Sequence, residues 1–177
     1  MKHIQPLLLL SMALLATCMV ATPLHAANQQ ASAAFVNAHG KQIGTATLTQ
    51  TPSGVLIDIK AEGIPVGAHA LHIHETGKCD APDFASAGDH YNPAGAKHGF
   101  VNGTDRHAGD LPNQFVQHDG VLQAHVLASQ VTLSAGQTTL FDTDGSALVL
   151  HTKADDYTSQ PAGEAGDRFA CAVIMQR

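Results

Sequence analysis

The sequence predicts an all-β domain, a sandwich or barrel of short strands from which two long loops emerge. Three observations carry this. Apolar and polar residues alternate with a period of two in several separate runs, turn residues stand between the runs, and no segment keeps a helical period between caps. A chain of 177 residues suits a single such domain.

The first segment is read as lying outside the domain. Met1, Lys2 and His3 make a short basic start, Pro6 to Val20 is an uncharged apolar run, and Ala21-Thr-Pro-Leu-His-Ala26 follows. This is the pattern of a secretory signal peptide spanning residues 1–26, cut near Ala26 or Ala27 to leave a domain of residues 27–177. The run is shorter than the ~20 residues a membrane span needs, so no transmembrane segment is expected. Leu15-Ala-Thr-Cys18 approaches a lipoprotein cleavage box, but Thr17 is larger than the residue such a box takes, so lipid anchoring at Cys18 is the lesser reading.

The strands follow. Ala46 and Leu48 alternate with Thr45, Thr47 and Thr49, and Val55, Ile57, Ile59 and Ala61 alternate with Leu56, Asp58 and Lys60. Leu122, Ala124, Val126 and Ala128 alternate with Gln123, His125 and Leu127; Val149 and His151 alternate with Leu148 and Leu150; Phe169 to Met175 is a last apolar strand. Pro52-Ser-Gly54, Asp119-Gly120 and Asp144-Gly145 supply turns. Two segments break the rhythm, Gly77 to Pro112 and Lys153 to Arg168. Loops of this length without regular structure are functional or disordered, and the first carries three histidines, which favours function.

Composition narrows the function. The net charge is −6, and losing Lys2 with the signal segment makes it −7, the wrong sign for a nucleic-acid binder. Histidine, at 12 residues, outnumbers Lys and Arg together, at 9. Imidazole is the commonest metal ligand and titrates near neutral pH, so a metal or proton-transfer site is indicated. Of three cysteines, Cys18 lies in the signal segment; Cys79 and Cys171 read as one disulfide in an exported chain, or else as two buried thiols.

Spacing then sorts the histidines. In His69-Ala-Leu-His72-Ile-His74-Glu75, a strand turns His72 and His74 to one face and Leu71 and Ile73 to the other. His69 shares the parity of Leu71 and is read as structural. The long loop adds His90, His98 and His107 with Asp110, and three imidazoles with one carboxylate complete a tetrahedral zinc set. His151 arrives from a distant strand. Six histidines and one aspartate exceed one ion and fit two, one of them held by imidazole alone, which suits copper or zinc. His39, His118 and His125 read as surface groups, Tyr91 as packing, and Lys97 as a solvated charge.

From about Ala33 to Met175 the motifs resemble those of the copper/zinc superoxide dismutases of the bacterial exported type. They are His72-Ile-His74-Glu, Ser86-Ala-Gly-Asp-His-Tyr-Asn-Pro93, Lys97-His-Gly99, Arg106-His-Ala-Gly-Asp-Leu-Pro112, Gly145 to His151 with Ala154-Asp-Asp156, and Gly166-Asp-Arg-Phe-Ala-Cys171. The resemblance implies an eight-stranded Greek-key β-barrel, an immunoglobulin-like sandwich, with a metal-binding loop and an electrostatic loop. It implies copper at His72, His74, His90 and His151, and zinc at His90, His98, His107 and Asp110, with His90 as bridge and proton carrier. Asp155 would orient His72 and His98, Cys79 would pair with Cys171, and Arg168 would guide the substrate anion, superoxide. The implied reaction yields oxygen and hydrogen peroxide by copper redox cycling beside a structural zinc. A periplasmic or extracellular location is expected, and both monomers and homodimers are compatible with the resemblance.

This chain departs from the family pattern at Asp89, beside His90, and at Glu164 and Asp167, near Arg168; Thr158 to Pro161 lacks a lysine that many relatives carry. Steering is therefore expected to rest on Arg168 and the metals. Two other functions compete: a metal-storage protein without turnover, which would have lost a ligand or the arginine, and a two-metal hydrolase, which would need more bridging carboxylates than Asp110.

Overall fold

The computed structural model describes residues 29–101, 103 and 105–177. The segment read as a signal peptide, with Cys18, lies outside the described residues. Among the described residues the chain forms nine strands: β1 (Gln30–Asn37), β2 (Gln42–Thr51), β3 (Gly54–Ala61), β4 (Gly67–His69), β5 (Leu71–His74), β6 (Gln114–Val116), β7 (Leu122–Ala128), β8 (Ala147–His151) and β9 (Arg168–Gln176). The only helical piece among them is a 3-10 turn at Ala85–Ala87, so none of them forms a helix long and apolar enough to cross a membrane.

Every strand pair is antiparallel. Seven strands form one curled sheet in the order β5-β8-β9-β1-β2-β3-β7, and β4 pairs with β6. Only Ala70 separates β4 from β5, so the two are one strand that changes partners, and the count becomes the expected eight. Ala70 spans the break by donating to Lys153 O at 2.8 Å and accepting from His151 N at 2.9 Å. After β3 the chain crosses to β4 and β5 instead of pairing with its spatial neighbour β7, and after β7 it crosses back to β8, the Greek-key path.

Alternation explains the core. In β3, Val55, Ile57, Ile59 and Ala61 are buried while Leu56, Asp58 and Lys60 face outward. Leu48 and Ala46 of β2, Leu122, Val126 and Ala128 of β7, and Leu71 and Ile73 of β5 enter the same cluster. Strand β8 is buried on both faces, because Leu148 and Leu150 fill the barrel while Ala147 and Val149 meet Phe84, Ala87 and Cys171 on its outer side. That second cluster seats the 77–112 loop on the outside of the barrel. Cys79 and Cys171 form a disulfide that ties this loop to β9.

Candidate metal centre

Strand β5 is an edge of the large sheet, and the loop covers it. Ile73 N donates to Gly109 O at 2.9 Å, Tyr91 N to Ile73 O at 2.8 Å, and Gly109 N to Tyr91 O at 2.9 Å. Single bridges place Asp110 opposite His72 and His90 opposite His74. The approach is tight enough that a Cβ on Gly109 would collide with Ile73 O, so glycine is required there. His151 comes from the adjacent strand, where a register shift between Leu150 and His151 turns the chain toward Arg168.

Two groups of donors result, each with atoms within 4.8 Å of one another: His72, His74, His90 and His151, and His90, His98, His107 and Asp110. His90 belongs to both. In the first group, one nitrogen of each of three rings is engaged by an acceptor: His72 Nε2 donates to Asp155 Oδ2 at 2.8 Å, His74 Nδ1 to Gly88 O at 2.9 Å, and His151 Nδ1 to Gly166 O at 3.3 Å. Such partners fix each ring's tautomer and leave the other nitrogen as a lone pair. The nitrogens left over, His72 Nδ1, His74 Nε2 and His151 Nε2, are buried with His90 Nε2, and none has a hydrogen-bond partner among the described residues. Four converging buried lone pairs are what a cation requires, and an all-imidazole set fits copper.

In the second group, Asp110 Oδ1 lies 2.9 Å from His90 Nδ1, 3.0 Å from His98 Nδ1 and 3.4 Å from His107 Nδ1. His107 Nδ1 and His90 Nδ1 are 3.4 Å apart. Gly99 N donates to Asp110 Oδ2 at 2.9 Å. Three imidazoles and one carboxylate at this spacing fit zinc. Asp155 joins the two groups, since its Oδ1 is 3.0 Å from His98 Nε2 while its Oδ2 holds His72. A Cβ on Gly163, which has φ +69°, would strike Asp155, so the second loop packs against this carboxylate by backbone.

Electrostatics follows burial. Burial lowers His90 to about 4 and His151 to about 3, and pushes His72 and His74 down as well, so these rings stay neutral and able to ligate. His98 is buried too, but its hydrogen bonds and charge interactions with Asp110 and Asp155 outweigh that penalty and raise it to about 9. Both carboxylates, despite burial, are held well below the usual carboxylate range by the imidazoles bonded to them. The partly buried Arg168 donates to Phe84 O and, at 2.6 Å, to Gly88 O, the carbonyl that also orients His74.

The remaining histidines separate as their contexts suggest. His69 is buried with its two ring nitrogens 2.8 Å from the carbonyl oxygens of His151 and Pro65, so it braces backbone. His39, His118 and His125 are exposed. Tyr91 packs in the core and donates its hydroxyl to Thr139 O. Sequence reasoning missed Asn113 and Gln160, whose amides join the two loops: Asn113 pairs with the backbone of Asp155 at 2.8 Å in both directions, and Gln160 pairs with that of His98. Uncharged amides in loops carry no motif that would single them out.

An antiparallel barrel that carries an all-imidazole group and a His/Asp group sharing one ring has donors for two metal ions. A model of the copper/zinc superoxide dismutase (SODC) family matches residues 42–174, and the chain belongs to that family. It is 48% identical over 147 residues to copper/zinc superoxide dismutase 2 of Aquifex aeolicus, covering 82% of this chain and 86% of that one. It is 44% identical over 138 residues to the copper/zinc superoxide dismutase of Caulobacter vibrioides, covering 76% and 79%. The crystal structure of a SOD-like protein from Bacillus subtilis superposes with a TM-score of 0.77 at 38% identity, covering 80% of this chain and 95% of that one.

Proposed function

We propose that this protein disproportionates superoxide to oxygen and hydrogen peroxide, with copper held by His72, His74, His90 and His151 and zinc by His90, His98, His107 and Asp110. The observation that carries this is the sharing of His90: its Nε2 is a buried lone pair in the first group and its Nδ1 faces Asp110 in the second. When bound, copper supplies one-electron redox chemistry, and zinc, with its filled d shell, supplies fixed charge without changing oxidation state.

The chain's own residues do the rest. Two superoxide ions and two protons become one oxygen and one peroxide molecule, so the site must admit anions and deliver protons. Arg168 is an always-charged planar donor suited to a small anion, and the Phe84 and Gly88 carbonyls hold its head still. When its lone pair is not given to the metal, His90 Nε2 would be the atom that holds a proton for the second superoxide. Asp155 keeps His72 and His98 in the tautomers that ligate.

Export completes the reading. Residues 1–26 serve as a signal peptide and residues 27–177 as the mature enzyme, in the periplasm or outside the cell, where a Cys79–Cys171 disulfide persists. The test is metal analysis joined to a superoxide-decay assay on the mature protein. The expected result is about one copper and one zinc per chain with catalytic decay. Copper bound without catalytic decay would support metal storage and overturn the enzymatic reading.

A further inference from the structure

His98 is one of the zinc-group residues that no strand positions. It lies in the 77–112 loop, outside every strand, yet its side chain is fully buried and must present Nδ1 to Asp110. A ligand on a strand has its backbone fixed by a ladder. His98 has a substitute. Its N–H donates to Gln160 Oε1 at 2.9 Å, and its C=O accepts from Gln160 Nε2 at 2.8 Å. One primary amide thus meets both polar groups of the His98 peptide, as a neighbouring strand would. The amide's orientation is set by its partners, since an N–H needs the oxygen and a C=O needs the nitrogen. The same Nε2 also donates to Thr158 O at 3.1 Å, which ties the amide to its own loop.

We infer that Gln160 is a positioning residue for the zinc group: it fixes the His98 backbone and thereby where Nδ1 stands. Asp155 steers the ring from its far side at 3.0 Å, and Gly99, the next residue, is pinned to Asp110 by its N–H at 2.9 Å. Without the Gln160 clamp, the ring would keep its carboxylate partner while its backbone anchor was released. Gln160 itself is exposed, so truncating it opens no core cavity, and a change in metal affinity would report position instead of packing.

This inference rests on the zinc assignment proposed above, and its test separates the two. Mature, metal-free protein and the variants Gln160→Ala and Gln160→Glu are titrated with zinc against a chromophoric chelator. Cobalt then reports the zinc group by its absorption spectrum, and copper reports the other group by its paramagnetic resonance. Outer partners of ligands are worth roughly 10- to 100-fold in metal affinity, so Gln160→Ala should weaken zinc by that order, alter the cobalt spectrum and leave the copper signal in place. Gln160→Glu keeps the acceptor for His98 N–H but loses the donor to its carbonyl, and should fall between. Unchanged zinc affinity and cobalt spectrum in Gln160→Ala would overturn the role of Gln160, whatever happened to its melting temperature. A parent protein that binds no zinc would overturn the two-metal reading itself.

Discussion

His72 Nε2 donates to Asp155 Oδ2 at 2.8 Å, both side chains being fully buried. The other oxygen of that carboxylate is 3.0 Å from His98 Nε2, so one buried anion orients a ring in each metal group. Asp155→Asn tests this directly. An amide of the same shape has one acceptor oxygen, so it can hold one ring and must turn an N–H₂ toward the other. The expected outcome is a loss of roughly 10- to 100-fold in affinity for the metal whose ring is released, with the fold intact. Chelator competition for copper and zinc separately measures it, and equal affinities in parent and variant would remove Asp155 from the site.

The pH dependence of the metal-free protein follows from opposed shifts. An unfolded histidine titrates near 6.5, while burial holds His90 at about 4 and His151 at about 3 in the folded chain. Between pH 6.5 and 4 the unfolded chain therefore binds more protons, and stability falls as pH falls, by up to about 1.4 kcal/mol per pH unit for each such group. His98 has the opposite sign. Raised to about 9 by Asp110 and Asp155 against the cost of burial, it contributes stability that is complete below 6.5 and lost as pH rises through 9. The metal-free protein should thus be most stable near pH 6.5, and zinc loading should release the His98 proton and flatten the alkaline side. Thermal melts of the metal-free and loaded forms across this range check both statements; a level profile without metal would refute them.

Charge at the mouth of the site sets a third expectation. Arg168 lines a cavity of about 510 Å³ with Asp83 and Asp167, and a second cavity of about 270 Å³ is lined by Glu75, Asp89, His90 and His107 among others. Burial lowers the pKa of Arg168, and the nearby charges of Asp89 and Asp83 push it back up. Those carboxylates steady the guanidinium but repel an anion. Charge steering is worth roughly 10- to 1000-fold in encounter rate, so Arg168→Ala should cost about tenfold or more in kcat/KM at low salt and flatten its salt dependence. Asp89→Asn should raise kcat/KM at low salt, with the gain fading as salt screens it. Rates unchanged in both variants would mean that encounter is not steered from these positions.

The parts of this architecture that could be read in the sequence are those with strong contrast between faces. Strands β2, β3 and β7 place large aliphatic residues against polar ones, and the period of two is plain. Strand β1 hides because its inward residues Ala31, Ala33 and Phe35 alternate with Ser32, Ala34 and Val36, a weak contrast, and β4 and β6 are three residues each, too short for any period. His72 and His74 were legible because a strand converts i and i+2 into one face. The pairing of His98 with Gln160 spans 62 residues between two irregular loops, and no local pattern encodes it.

The disulfide carries the last prediction. Cys79 and Cys171 are 92 residues apart, and in the chain-entropy model closing a loop of that size contributes about 4–5 kcal/mol, less any strain. Its position gives it a second effect. Cys171 sits fully buried on β9 beside Phe84, Ala87, Ala147 and Val149, and the bond holds the 79–88 segment onto that surface. That segment supplies Phe84 O and Gly88 O, which hold Arg168, and Gly88 O also fixes the tautomer of His74. Removing the bond should therefore loosen both the anion-binding group and one copper-group ring, beyond lowering global stability. The paired change of Cys79 and Cys171 to Ser is expected to lose several kcal/mol in urea unfolding. In the loaded, still-folded protein it should also weaken copper and lower kcat/KM, while zinc, which shares His90 with copper but takes His98, His107 and Asp110 from the far part of the loop, should weaken less. Stability lost with copper affinity and kcat/KM intact would confine the bond to a cross-link and separate it from the geometry of the site.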